Sequence, residues 1–222
     1  MQTAPWVMGS IGLAVLLVWV PFLYPWARPF STFVHESGHA VVALLTGQYV
    51  EALRIVSKGG GCTSFEGEGR LAHVLVFAAG YLAPPGAGLA LIAAVHAGVS
   101  PRSVLLVVLV LPIVMLLVAE TGFTRLVIVA VIAVLAILIH HAGPVSQTAA
   151  IVTAGLVLIL AGIRSISVLL RVDLTEQDPG VLQDRTGIPA AVWIVLFAAF
   201  AGFCLYLAGR WLLTEPWPGG PA

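Results

Sequence analysis

The chain has 222 residues, of which 60% are hydrophobic and 9% are charged, and its formal net charge is zero. A soluble domain of this length cannot bury so much apolar surface in one core, so the lipid bilayer is the expected solvent. Ten Lys and Arg balance ten Asp and Glu, which provides no basic surface for nucleic acid. The two cysteines, Cys62 and Cys204, form no CxxC pattern and predict no disulfide framework.

Apolar runs of membrane-spanning length recur along the chain, since about 20 apolar residues cross a bilayer. We predict an all-α polytopic membrane protein with six to seven transmembrane helices and a small β-hairpin after the second. The apolar segments are, in chain order, 8–27, 30–47, 71–97, 103–118, 123–140, 147–169 and 188–212.

Together these segments predict one integral membrane domain over residues 1–222. Its parts are a retained first span at 8–27, a motif-bearing helix, hairpin and kinked span at 30–97, two short spans at 101–145, and a span, an Asp-bearing segment and the last span at 147–212.

The second segment contains "HESGH", which is an HExxH motif formed by His35, Glu36 and His39. On a helix, residues four apart share a face, so both imidazoles can bind one metal ion. Zn²⁺ held by such ligands keeps an open coordination position and lowers the pKa of a bound water to near neutrality. Glu36 lies one position round the helix, where it can accept a proton from that water. A glutamate at membrane depth is a functional hypothesis by default.

Two polar stretches separate the apolar segments. The first, 48–70, has β-branched and aromatic residues on both sides of Gly59, Gly60 and Gly61, which predicts a hairpin. This hairpin is either an edge on which an extended substrate pairs or a plain connection. In the second, 171–187, "DPG" at Asp178 predicts a turn or the start of a short helix that ends at Gly187.

The third segment carries "GYLAPPGAG". Pro84 and Pro85 lack a backbone N–H, so we predict a kink or a break at this point. A break would open room for substrate beside the metal, whereas the alternative is a packing kink.

A third metal ligand must come from elsewhere in the chain. The remaining histidines lie near the ends of predicted spans and are typical of interfacial side chains; they are His73, His96, His140 and His141.

"HESGH", then "GGGCTSFEGEG", "AAGYLAPPGAG" and "QDPGVLQDRTGIPAAVW", together resemble the site-2-protease-like intramembrane metallopeptidases, and within them the bacterial M50B-like branch. The resemblance implies a zinc peptidase of the bacterial cytoplasmic membrane that cleaves membrane-anchored protein substrates. It implies His35 and His39 as ligands, Glu36 as general base and Asp178 as third ligand.

The chain departs from that pattern at two places. Gln177-Asp178-Pro179 stands where Leu-Asp-Gly is usual, which leaves Asp173 as a rival third ligand. "GYLAPPGAG" lacks the usual asparagine, so the substrate-binding residues predicted near it, Pro84 and Pro85, stay open.

Two other functions are compatible with these residues. One is a catalytically inactive zinc-binding membrane scaffold, for which Glu36 would be dispensable. The other is a small ion transporter that uses His35, Glu36 and His39 as a relay, although the chain has no visible internal repeat.

Membrane topology raises a difficulty for the metal site. If every segment crosses once, His35 and Asp178 lie on opposite sides of the bilayer. Their meeting requires a re-entrant 171–187, a half-crossing among the short middle segments, or a deeply tilted helix.

Overall fold

The structure, a computed structural model, describes residues 5–56, 60–214 and 217. Within these ranges the chain forms eight α-helices and one two-stranded antiparallel sheet. In chain order they are α1 (Pro5–Trp19), α2 (Tyr24–Leu45), β1 (Tyr49–Val56), β2 (Gly60–Glu66), α3 (Arg70–His96), α4 (Pro101–Met115), α5 (Gly122–His141), α6 (Pro144–Leu169), α7 (Asp178–Thr186) and α8 (Ala190–Thr214). The predicted polytopic, mostly helical membrane protein with a small hairpin is confirmed.

Four of the described helices, α3, α5, α6 and α8, are long and apolar enough to cross a membrane. The pair α1 and α2 would count as a fifth span, but the two helices are bent by 94° relative to each other. α4 has 15 residues, which is shorter than a straight crossing of the hydrocarbon requires. The described helices therefore supply four to five candidate spans, fewer than the six to seven predicted, because α4 is short and α1 and α2 together count as at most one crossing.

Arg164 of α6 lies at the bend between α1 and α2. Its guanidinium donates a hydrogen bond to the carbonyl oxygen of Val18, in the last turn of α1. The same group lies 3.8 Å from the ring centroid of Tyr24, the first residue of α2. The Val18 carbonyl lies at the end of α1 and has no helical partner, so Arg164 satisfies it. The same side chain also contacts the start of α2.

α3 is the central helix and packs against α2, α6 and α8. It continues through Pro84 and Pro85 without interruption, so the predicted break is wrong. Both prolines are buried, and Pro85 packs against Gly162 of α6. Gly88 of α3 and Gly155 of α6 have no room for a Cβ, which brings the two backbones close together as small residues do in membrane helix pairs.

The predicted hairpin is confirmed as β1 and β2, paired antiparallel. Residues 118–120 cover the outer edge of β1. The Leu53 N–H donates to the Val118 carbonyl at 2.8 Å, and the Glu120 N–H donates to the Leu53 carbonyl at 3.1 Å. The outer edge of β2 pairs with no segment in the described part of the chain.

The short helix predicted in the second polar stretch is α7. It begins at Asp178 and ends before Gly187, whose φ of 77° is the left-handed conformation that glycine adopts easily. Gly180 lies so close to the Leu174 carbonyl that a side chain would not fit there. Leu182 is fully buried among side chains of α6 and α8 and holds α7 against the helices.

Candidate metal centre

His35 and His39 lie one turn apart on α2, and their Nε2 atoms are 3.2 Å apart. His39 is buried, and its Nδ1 lies 2.8 Å from the carbonyl oxygen of Val76 on α3. Because a carbonyl oxygen only accepts, this nitrogen carries a hydrogen. In the neutral ring, Nε2 then keeps a free lone pair, which is the usual arrangement of a histidine that ligates through Nε2.

Asp178, at the start of α7, places its carboxylate at the same point. Its Oδ2 lies 3.3 Å from Nε2 of His35 and 3.4 Å from Nε2 of His39. Burial by itself would raise the pKa of this carboxyl, but the two adjacent imidazoles hold the pKa well below its usual range.

The donor set fits a zinc ion. The three ligand atoms lie within 4.8 Å of one another, and two imidazoles with one carboxylate are a known ligand set of catalytic Zn²⁺. Oδ2 of Asp178 is buried and accepts no hydrogen bond of good geometry from the described residues, although Nε2 of both histidines lies within 3.4 Å of it. Such an atom is costly to leave alone, and a bound dication would give it a partner.

Asp173, the rival third ligand, lies outside this group. It is exposed, and its Oδ1 accepts hydrogen bonds from the backbone N–H and the hydroxyl of Thr175, at 2.9 and 2.6 Å. The side chain thus completes a local turn before α7. Of the two aspartates, the structure brings Asp178 to the histidines.

The fold brings His35 and Asp178 together, which a single crossing by every predicted segment would not allow. α2 meets α1 at a bend instead of following it as an independent crossing, and α7 packs against α3 and α8. His35 and Asp178 therefore meet although they are far apart in the chain.

Glu36 is buried, with 4% of its surface exposed. Its carboxylate lies against β2, where the Thr63 hydroxyl donates to Oε2 at 2.8 Å. A Cβ on Gly61 would lie 2.6 Å from Cδ of Glu36, so the strand reaches the carboxylate only because this residue is glycine.

Gly80 and Tyr81 of α3 complete the surroundings of the histidines. A Cβ on Gly80 would overlap the His39 ring and lie 2.8 Å from Cε1 of His35. Tyr81 contacts His35 edge-on, with ring centroids 4.8 Å apart, and stacks on Phe197 of α8 at 5.3 Å. The space for both imidazoles thus depends on the missing side chain at Gly80.

Sequence reasoning missed Gly80, Tyr81 and Thr63. A glycine inside an apolar helix often marks a close approach of another element, so Gly80 could have been singled out from the sequence. The sequence alone does not show that the approaching residues are His35 and His39. Thr63 carried no signal beyond its place in a predicted strand.

The other histidines stay apart from the ligand group in the described part of the chain. Nδ1 of His73 lies 2.8 Å from the Gly69 carbonyl at the start of its own helix. His96 stacks on Trp211 of α8, and His140 and His141 occupy the last turn of α5.

The residues predicted to bind substrate fall into two places. Gly60 and Gly61 begin β2, and Gly61 lies at Glu36; Gly59 lies outside the described residues. Pro84 and Pro85 lie inside α3, where Pro85 contacts α6. Their part in substrate binding stays a prediction.

Residues 8–208 match the family described as Peptidase M50B-like. No curated protein and no solved structure matches the chain. The matched region contains both histidines, Glu36 and Asp178, together with the apolar helices of an integral membrane protein. Because the match covers most of the 222 residues, this chain belongs to the Peptidase M50B-like family.

Proposed function

We propose that the chain is a zinc metallopeptidase of the site-2-protease type, which hydrolyses peptide bonds of membrane-anchored proteins. The observation that best supports this proposal is the convergence of His35, His39 and Asp178, with the buried Glu36 next to His35 in the chain. The resemblance to the bacterial branch adds a location in the bacterial cytoplasmic membrane to the proposal.

In the proposed reaction His35, His39 and Asp178 would hold Zn²⁺, which would lower the pKa of a water molecule and polarise the scissile carbonyl. Glu36 accepts a proton from the attacking water and then gives it to the nitrogen of the leaving amine. Since Oε2 of Glu36 accepts the Thr63 hydroxyl, Oε1 is the oxygen assigned to this proton. Burial of Glu36 keeps bulk water from competing for it.

The substrate is proposed to lie along β2. A scissile bond must be extended, because a helical backbone engages its carbonyl in hydrogen bonds. Residues 118–120 occupy the outer edge of β1, whereas the outer edge of β2 pairs with no segment that the structure describes. An added strand there would place a peptide next to Gly61 and Glu36 by main-chain pairing.

The proposal is tested with purified protein in liposomes, supplied with an unfolded reporter polypeptide or a tagged single-span membrane protein. We expect Glu36→Gln to keep its zinc and to lose cleavage by at least about 100-fold. Glu51→Gln, an exposed glutamate of β1, is the matched control and should cleave like the wild type.

Cleavage by Glu36→Gln at the wild-type rate would contradict the assigned base. A wild-type chain that holds zinc and cleaves neither substrate would instead favour the inactive zinc-binding scaffold.

A further inference from the structure

The buried carboxylate of Glu36 depends on one side chain outside its own helix. The Thr63 hydroxyl lies 2.8 Å from Oε2 of Glu36 and 3.1 Å from the carbonyl oxygen of the same residue. No other hydrogen bond to this carboxylate occurs among the described residues. The carboxylate of this buried residue thus relies on a single donor among the described residues, and that donor comes from β2.

The strand that carries Thr63 is itself held in place by its neighbours on the same face. Side chains two apart in a strand point the same way, so Gly61, Thr63 and Phe65 all face the helices. Gly61 allows contact with the Glu36 side chain, and the Phe65 ring lies 5.6 Å from the Phe77 ring of α3. The position of β2 on α2 and α3 therefore sets the position of the Thr63 hydroxyl.

We propose that Thr63 is a positioning residue that fixes the orientation of the Glu36 carboxylate and couples β2 to the base. The catalytic part of this inference rests on the proposed peptidase function, while the contact between the two side chains does not. A strand that adds to the open edge of β2 and shifts it would move the donor of Oε2. Occupancy of the edge would thereby change where the free oxygen of Glu36 points.

The contact is tested by thermal unfolding in detergent, which needs no proteolysis. Thr63→Val keeps the branched shape and removes the hydroxyl, and we expect it to lower Tm by roughly 2–8 °C. Thr63→Ser restores the hydroxyl and should restore most of the Tm. In a Glu36→Leu background the carboxylate is gone and only the backbone carbonyl of residue 36 remains as an acceptor, so Thr63→Val should lower Tm by clearly less.

Thr148→Val is the matched control, because the Thr148 hydroxyl also donates to a backbone carbonyl, that of Pro144, but at the exposed start of α6. Its Tm shift should be the same with Glu36 and with Leu at position 36, since distant sites act additively. An equal Tm shift for Thr63→Val in both backgrounds would overturn the proposed coupling.

The catalytic part is tested by steady-state cleavage. We expect Thr63→Val to lower kcat about 10- to 100-fold with an unchanged KM and unchanged zinc content, and Thr63→Ser to recover most of it. A wild-type kcat for Thr63→Val, or a loss confined to KM, would overturn the positioning role. If the wild type cleaves nothing while the Tm coupling is present, the peptidase function fails and the contact between Thr63 and Glu36 stands.

Discussion

Nδ1 of His39 on α2 lies 2.8 Å from the carbonyl oxygen of Val76 on α3. This hydrogen bond orients the imidazole so that Nε2 faces Oδ2 of Asp178, 3.4 Å away. A histidine that ligates a metal usually engages its second nitrogen in this way. α3 thus fixes the orientation of one proposed ligand.

Metal content is the first prediction. We expect about one zinc per chain in the wild type and its loss in His35→Ala, His39→Ala and Asp178→Ala, because each removes one of three protein ligands. Asp173→Ala is the matched control and should keep its zinc, since Asp173 bonds to Thr175. The measurement is elemental analysis of folded protein in detergent. Zinc lost with Asp173 and kept without Asp178 would reverse the assignment.

A second prediction concerns the space at Gly80. A methyl group at this position would overlap the His39 ring, so Gly80→Ala should displace an imidazole and weaken zinc affinity by at least about tenfold. Competition with a chelator measures this.

Gly202→Ala on α8 is the control, because nothing lies within 4 Å of the added Cβ. This variant should bind zinc normally and gain up to about 1 kcal/mol of stability from higher helix propensity. Wild-type zinc affinity in Gly80→Ala would show that the two helices separate easily at this point.

A third prediction concerns the bend between α1 and α2. Arg164→Met keeps an apolar stem but removes the donor to the Val18 carbonyl and the contact with Tyr24. We expect a loss of about 1–3 kcal/mol in the free energy of unfolding in detergent. Arg171→Met, at an exposed position just after α6, should change it by less than about 0.5 kcal/mol. Equal stability of both variants would remove Arg164 as a stabiliser of the bend.

The fourth prediction is a pH dependence at the outer edge of β1. Hydrogen bonds from Arg54, at 3.0 and 2.5 Å, lower the pKa of the Glu120 carboxyl below its ordinary value. A carboxyl with a lowered folded-state pKa stabilises above its unfolded pKa, and this contribution is lost as pH falls through the folded pKa. Protection of the Leu53 amide from hydrogen exchange should therefore decrease on acidification below about pH 4.5.

In Glu120→Gln the ion pair is absent at every pH. Protection of the Leu53 amide should therefore be weaker than in the wild type at neutral pH and should not decrease further on acidification. The difference will be small, because both side chains are exposed to solvent. An identical acid profile in the variant and the wild type would contradict the assignment.

The local elements were predictable because each has a short-range cause. Spacing by four residues puts His35 and His39 on one helix face, and glycines between β-branched runs predict the hairpin. The helix that ends at Gly187 follows from a proline in its first turn and a glycine after its last. Asp178 was predicted only through the resemblance. Its closeness to the two histidines is a property of the fold.

Relations between distant elements were not predictable. Arg164, which lies far along the chain, contacts the bend between α1 and α2. The hydrophobic pattern of residues 8–47 does not predict this bend. α3 continues through Pro84 and Pro85 because neighbouring helices pack around it, which overrides the local preference for a break. The contact of Thr63 with Glu36 likewise exists only once β2 has packed on α2.

The proposed metal ligands lie on α2 and α7, and the four helices α3 to α6 separate them in the chain. A ribosome delivers both histidines well before it delivers Asp178, so a nascent chain that stops after α6 has an incomplete ligand set. A zinc ion bound by all three proposed ligands would join α2 to α7 as a cross-link that closes a long loop, and its binding would contribute directly to folding stability. Retained zinc therefore reports on the assembly of the whole helical bundle as well as on the chemistry of its centre.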